Sequence, residues 1–138
     1  MSPKLVLAAA LLTSACTHDH WPPTPAPTAA RIWRLTSNHD ITLTYINQMF
    51  RGQAGCNQYS AAVIRGAWVN GNAAEVDALS VGIINSTRRK CSEPRTRDEA
   101  TFFSQLHSGK AIHSSAEQIS IDYDDAGVSG TLVFEPAP

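Results

Sequence analysis

Two cysteines in the body of the chain, Cys56 and Cys91, are its clearest candidates for covalent chemistry. The third cysteine, Cys16, follows an export signal described below, so the other two form an even pair in an oxidising compartment, where disulfides persist. A bridge between them would close a loop of about 35 residues and stabilise the fold by roughly 4 kcal/mol. The alternative is two unconnected buried thiols. Neither cysteine lies in a Cys-x-x-Cys arrangement, so thiol redox catalysis is not predicted.

The other residues that could carry chemistry form no recognisable catalytic or metal-binding motif. The histidines are scattered, at positions 18, 20, 39, 107 and 113. His18 and His20 flank Asp19 on a tail, where a weak metal site is less favoured than a solvated segment. Asp122, Asp124 and Asp125 surround a turn but lack the spaced oxygen ligands of a calcium loop. No nucleophile elbow, zinc helix or phosphate loop occurs, so we predict no enzyme, no metal and no cofactor.

The amino terminus predicts export and a lipid anchor. Lys4 precedes an apolar run at residues 5–12 that is too short to span a membrane and is typical of a signal peptide. The small residues at 13–15 resemble a lipobox, although Thr13 stands where Leu is usual. We therefore predict a lipoprotein signal peptide over residues 1–15 and lipidation of Cys16. The alternative is ordinary cleavage after Ala15, which would leave a free thiol.

Residues 16–30 predict an extended tether between the lipidated cysteine and a folded domain. Four prolines between positions 22 and 27 disfavour a helix and favour polyproline II. At about 3.1 Å per residue, such a spacer would reach on the order of 40 Å. The membrane is thus one predicted partner, contacted through the anchor.

The domain that begins at residue 31 has the pattern of a mainly β fold. Alternating apolar and polar residues predict strands at 32–35, 41–46, 48–53, 61–65, 73–78, 79–85, 111–115, 118–123 and 130–134. The Asn70-Gly71 pair predicts a tight hairpin. One helix is predicted, with Thr96 or Asp98 as its N-cap and its end at residues 108–109. The expected fold is a curved antiparallel sheet or small β-barrel of about eight strands with one helix.

Several segments, in this order, resemble the META domain family of HslJ-like lipoproteins. They are a Trp-x-Leu strand at 33–35, Gly-Gln-Ala-Gly-Cys-Asn-Gln-Tyr at 52–59, Ser-Thr-Arg-Arg-Lys-Cys at 86–91 and a helix with an early glutamate. The matching motif residues are Trp33, Gly52, Gly55, Cys56, Asn57, Tyr59, Thr87, Arg88, Cys91 and Glu99. Two departures occur. Ala61 stands where a glycine is common, and Arg89-Lys90 replaces a commoner Met-Ala. The second departure puts a polar pair where the family usually has an apolar one, so the local packing around residues 89–90 is expected to differ.

The motif residues admit a structural and a binding interpretation. Gly52 and Gly55 permit close backbone approach or unusual backbone angles, and Asn57 can bond neighbouring backbone in a tight bend. Tyr59 adds a large ring whose hydroxyl needs a partner. We expect a packing cluster centred on Cys56, and the alternative is a binding site.

The resemblance implies a non-catalytic envelope lipoprotein linked to stress or antibiotic tolerance, which acts by binding an envelope protein or a lipid ligand. Alternatives are a pilot or adaptor that escorts an outer-membrane partner, and an inhibitor of an envelope enzyme such as lysozyme. Thr17 after the lipidated cysteine favours the periplasmic side of the outer membrane if the source is proteobacterial. The net charge of −1 argues against nucleic acid as a partner, and the cations at 88–90, 95 and 97 are interpreted as a solvated loop.

Overall fold

A computed structural model describes residues 30–67 and 76–138 of the chain, and these residues form eight strands and one helix. In chain order the elements are β1 (Trp33–Leu35), β2 (Asn38–Ile46), β3 (Met49–Gln53), β4 (Gln58–Ala67), β5 (Val76–Ser86), α1 (Glu93–His107), β6 (Gly109–Ser114), β7 (Ile119–Asp125) and β8 (Val128–Pro136).

The strands close into a single antiparallel barrel in which each strand pairs with the next one along the chain. The last strand returns to the first, with Leu35 opposite Phe134 and Trp33 opposite Pro136. This arrangement confirms the predicted fold class. Apolar residues at alternate strand positions point inward, as the period of a strand requires, and Leu43, Phe50 and Ile121 are completely buried among them. The interior is therefore a packed core.

The barrel has two different ends, because successive strands run in opposite directions. One end holds the start of β1 and the turn between β2 and β3, and we call it the entry end. The other end holds the connection between β3 and β4 and the segment that leads from β5 into the helix, and we call it the motif end. The two cysteine-containing segments thus fall at the same end.

Helix α1 covers the part of the barrel where the ladder between neighbouring strands is short. β5 pairs with β6 only over residues Val76, Asp77 and Ala78, and the helix packs against β5 and β7 beyond that short ladder. Phe102 and Leu106 are the buried residues on its inner face. The ring of Phe102 meets that of Phe134 with centroids 6.5 Å apart, so the helix completes the core.

The helix begins earlier than the sequence pattern predicted. Its N-cap is Ser92, in an extended conformation, and neither Thr96 nor Asp98 holds that position. Pro94 falls in the first turn, where its missing N–H costs nothing because the first N–H groups of a helix have no partner within the helix. Thr96 instead lies inside the helix, and its hydroxyl donates to the Ser92 carbonyl at 3.1 Å. The predicted end at residues 108–109 agrees with the C-cap at Ser108.

One predicted break between strands is also wrong. Residues 76–86 form the single strand β5, where the alternation had indicated two strands meeting at residues 78 and 79. The ladder between β4 and β5 runs without interruption from Asp77 to Val81, so pairing with β4 keeps the strand continuous across residues 78 and 79. Residues 73–75 of the first predicted strand lie outside the described residues. The Asn70-Gly71 turn, the signal peptide at 1–15 and the tether up to residue 29 lie outside the described residues.

Within the described ranges, no helix has both the length and the apolar character needed to cross a membrane.

Candidate functional site

The two cysteine-containing motif segments meet at the motif end of the barrel. A disulfide joins Cys56, in the connection between β3 and β4, to Cys91, just before the helix. Their Cα atoms are 6.1 Å apart, which is a usual separation for a bridge. The pair proposed from the even count of cysteines is therefore present as a disulfide, and it fixes the start of α1 to the barrel.

Asn57, the residue after the first bridged cysteine, is the centre of a buried hydrogen-bond network. Only 5% of it is exposed, and its side-chain nitrogen donates to Glu99 Oε1 at 2.9 Å. Its own backbone N–H donates to Glu99 Oε2 at 3.0 Å. Its side-chain oxygen accepts from the Thr87 hydroxyl at 3.0 Å and from the backbone N–H of Arg89 at 2.7 Å. Asn57 thus joins a loop, the β5 exit and the helix, whereas the sequence had indicated bonds to its neighbouring backbone.

Tyr59 and Gly52 both lie against the backbone carbonyl of Thr42 in the same region. The Tyr59 hydroxyl donates to the Thr42 carbonyl at 2.9 Å, and its ring packs edge-on against Phe102 at 5.4 Å between centroids. Burial raises the pKa of Tyr59, so its hydroxyl stays protonated. A Cβ on Gly52 would overlap the Thr42 carbonyl oxygen, so a larger residue cannot occupy this position without a shift of the strands.

The structure places three motif residues outside this network. Trp33 is buried opposite Leu43 at the entry end, away from the cysteines. Gly55 lies in the β3–β4 connection with a φ of 94°, a backbone conformation that glycine adopts without strain. Arg88 is exposed directly after Thr87. The Arg89-Lys90 pair of the departure noted above is exposed as well.

A shallow concavity of about 570 Å³ lies over the motif on the outside of β2 to β5. We call it the outer groove. Residues that line it are Thr44, Arg51, Gly52, Gln53, Gln58, Tyr59, Ser60, Asn85, Ser86 and Thr87. Several belong to the motif segments, but Thr44, Arg51 and Asn85 were not singled out from the sequence. Their only sequence signal was the polar phase of each strand's alternation, and that phase does not reveal which strands become neighbours.

The side chains of the outer groove keep unused hydrogen-bonding capacity. Across the described residues, the side chains of Gln53, Gln58, Ser60, Asn85 and Ser86 have no hydrogen-bond partner within the protein. The groove lining includes a cation, Arg51, and no carboxylate. The arrangement can therefore bind a polar ligand, while it offers no nucleophile with a base.

An apolar area borders the outer groove toward the entry end. The strand register places Ile46 opposite Met49 and Met49 opposite Ala62 on the outer face. Ile64 and Ile83 lie on the neighbouring stretch of β4 and β5, with 73% and 79% of their surface exposed. We call these residues the outer apolar patch. Exposed apolar side chains that are contiguous, rather than scattered, commonly mark contact surfaces.

The aspartates that loosely resembled a calcium site are engaged in separate contacts. Asp122 accepts hydrogen bonds from Thr131 at 2.8 Å and lies 3.0 Å from His113 Nε2, and these contacts lower its pKa. Asp124 pairs with Lys110 at 2.9 Å. Asp125 accepts from the Ser104 hydroxyl. Over the described part of the chain, no group of three or more His, Cys, Asp or Glu residues is arranged to hold a metal ion.

One solved structure and one family model are similar to this chain. The chain resembles a solved NMR structure of a protein from Burkholderia xenovorans, with 21% identity over 78% of this chain and 79% of that one, and a TM-score of 0.47. A search of curated proteins finds no significant match. The model of the META domain matches residues 14–135, which include every motif residue discussed above. The chain therefore belongs to the META domain family.

Proposed function

We propose that this protein is a non-catalytic, lipid-anchored envelope protein that supports stress or antibiotic tolerance by binding a ligand in its outer groove. Family membership supports the coarser part of this proposal, an envelope-associated protein with a role in stress. The anchor is proposed from Cys16 and the residues before it.

The observation that carries the binding role is the contrast between the filled interior and the outer surface. Phe50, Phe102 and Phe134 lie inside the barrel with at most 2% of their surface exposed, so the core is occupied by the protein's own side chains. Binding therefore has to use the outside, where the outer groove offers unpaired amide and hydroxyl groups. Binding residues are commonly held in position by a rigid scaffold, which the barrel provides here.

A complementation experiment tests the proposal. A strain that lacks the gene should lose tolerance to heat or to an antibiotic, and the wild-type gene should restore it. A Gln53→Ala and Asn85→Ala double variant, which removes two groove amides, should reach the same protein level but restore tolerance poorly. Gln118→Ala removes an exposed amide on a different part of the barrel and is the matched control. Full tolerance with the groove variant would exclude the groove as the binding site.

The outer apolar patch favours a second candidate function, a pilot or adaptor that escorts a protein partner. Ile64 and Ile83 are mostly exposed on adjacent strands, and burying such side chains against a partner is favourable by about 25 cal/mol for each Å². Ile64→Glu together with Ile83→Glu should then mislocalise one envelope protein without changing tolerance conferred through the groove. If the location of envelope proteins is unchanged in this variant, the adaptor function is wrong.

A further inference from the structure

We propose that the outer groove takes an anionic saccharide, a chain of sugar units that carries carboxylate groups. This inference deepens the proposed binding function and rests on it, because it names the ligand class of the same groove.

Neutral hydrogen-bonding groups are the first argument. Gln53, Gln58 and Asn85 present side-chain amides, and Ser60 and Ser86 present hydroxyls, all without partners in the described protein. Each amide both donates and accepts, as does each hydroxyl. Sugar hydroxyls have the same dual character, so a row of such groups can satisfy a polyhydroxylated ligand where a purely acidic or basic surface could not.

Positive charge without a matching carboxylate is the second argument. Arg51 lines the groove, and the contact that its guanidinium makes is with the sulfur of Met49 at 3.7 Å. Arg88, Arg89 and Lys90 come directly after Thr87, which lines the groove, and all three are exposed; we call them the cationic rim. In the described ranges, none of these four cations has a carboxylate within salt-bridge distance. Arginine binds carboxylates through two parallel hydrogen bonds, so an anionic ligand is favoured over a neutral one.

The fixed backbone of the rim is the third argument. The Asn57 side chain holds the Arg89 N–H and the Thr87 hydroxyl, and the disulfide at Cys91 holds the residue after Lys90. The exposed cations therefore extend from a backbone that is immobilised at both sides. A preorganised site loses less entropy when it binds. The Asn57 network and the disulfide thus contribute to binding by positioning the rim, although the side chains of Asn57, Cys91 and Glu99 are not part of the groove lining.

The open shape of the groove is the fourth argument. The groove lies on the outer face of β2 to β5 and is a shallow concavity rather than an enclosed cavity. A small ligand would keep most of its surface in water there, whereas an extended chain can contact the lining strands in succession. The outer groove therefore fits an oligomer better than a single sugar.

Calorimetric titration of the purified full-length chain in detergent tests the proposal. The probes are an oligogalacturonate of six units, a maltohexaose as the uncharged counterpart, and inorganic phosphate. The oligogalacturonate should bind, with an affinity that falls as salt rises, and maltohexaose should bind at least about tenfold more weakly, as loss of a charged hydrogen bond implies. Phosphate at the same charge concentration should not displace the oligogalacturonate.

Variants localise the binding. Arg51→Ala should weaken oligogalacturonate binding by about tenfold, and Asn85→Ala should weaken it by a smaller factor. Arg97→Ala is the matched control, because Arg97 lies on the helix and pairs with Glu93 at 3.9 Å. Unchanged melting temperatures would show that each variant is folded. The proposal is overturned if neither saccharide binds, if maltohexaose binds as well, if phosphate displaces the probe, or if Arg51→Ala binds like the wild type. A failed titration with intact groove-dependent tolerance would reject the ligand class and leave the binding role standing.

Discussion

Asn57 connects more of the structure than any other motif residue described above. It contacts Glu99 on the helix, Thr87 at the end of β5 and the backbone of Arg89. Every one of these partners is at least 30 residues away in the chain. A short side chain with one donor and one acceptor group can satisfy all of them only at a fixed position, so the identity of the residue is tightly constrained.

We predict that Asn57→Ala lowers the free energy of unfolding by about 3 kcal/mol. The carboxylate of Glu99 and the backbone N–H of Arg89 would each lose a hydrogen-bond partner at a position shielded from water. Urea denaturation of the purified protein, followed by circular dichroism, measures the change. Gln58→Ala is the control, since Gln58 is exposed and its side chain has no partner in the described structure. It should change stability by less than about 0.5 kcal/mol. Equal effects of the two substitutions would show that the network is unimportant.

Asp122 gives a prediction about pH. Hydrogen bonds from Thr131 and His113 lower its pKa in the folded protein, so the ionised form is favoured by folding. Its contribution to stability is therefore present above its unfolded pKa, about 3.9, and is lost as the pH falls through the lower folded value. Asp122→Asn should be less stable than the wild type at pH 6, and the difference should shrink below pH 4. Chemical denaturation at both pH values measures it, and a difference that grows on acidification would contradict the assignment.

Individual contacts were the least predictable part of the site. The cysteine pairing followed from the even count and the export signal. Gly52 marked a close approach between strands, and Gly55 marked an unusual backbone angle. The partnership of Asn57 with Glu99 did not follow from either residue, because it joins positions 42 residues apart. Arg51 was not singled out, because an exposed arginine on a strand has the same sequence pattern whether or not a groove lies beside it.

The disulfide adds a covalent link between two elements that hydrogen bonds and core packing also hold together. It fixes the β3–β4 connection to the residue that precedes the N-cap of α1. The helix in turn covers the short β5–β6 ladder and contributes Phe102 and Leu106 to the core. Loss of the bridge should therefore loosen the covered side of the barrel as well as the motif.

We predict that replacing both Cys56 and Cys91 by alanine lowers the unfolding free energy by about 2–4 kcal/mol, since the unfolded chain regains the entropy of an open loop. Urea denaturation under non-reducing conditions measures the loss. Cys16→Ala is the control, because it removes a cysteine that lies outside the bridge. The wild type should lose the same stability when a reductant is added, and the double variant should not respond to it. A reductant-insensitive wild type would contradict this account.

Local sequence patterns predicted most elements correctly and failed where a neighbouring element decided the outcome. Alternation located β2, β3 and β7 within a few residues of their bounds. The division of β5 was wrong because β5 pairs with β4 without interruption from Asp77 to Val81, so the neighbouring strand keeps β5 continuous across the predicted break. The helix start was wrong because Ser92 makes no side-chain cap bond, so capping preferences had little influence there.

The complete barrel separates the proposed anchor from the proposed binding surface. The chain enters β1 at the entry end, whereas the disulfide, the Asn57 network and the cationic rim lie at the motif end. A tether would therefore join the barrel at the end opposite the rim. The antiparallel order of β1 to β5 creates this polarity. Closure of β1 on β8 is the step that local sequence patterns could not specify, because the closing pairs join opposite ends of the domain.

The anchor itself provides the last prediction. If Cys16 is lipidated, the protein extracted from membranes should begin at residue 16 and be heavier than the bare chain by several acyl chains. It should also gain the mass of two hydrogens on reduction of the Cys56–Cys91 bridge. Several acyl chains are expected because lasting membrane attachment needs more than one. Intact-mass measurement with and without reductant checks both the acylation and the bridge. Cys16→Ser should move the protein to the soluble fraction while the two-hydrogen gain persists. An unacylated chain that begins at or before Cys16 would exclude the lipid anchor, and the groove would then have to act in a soluble protein.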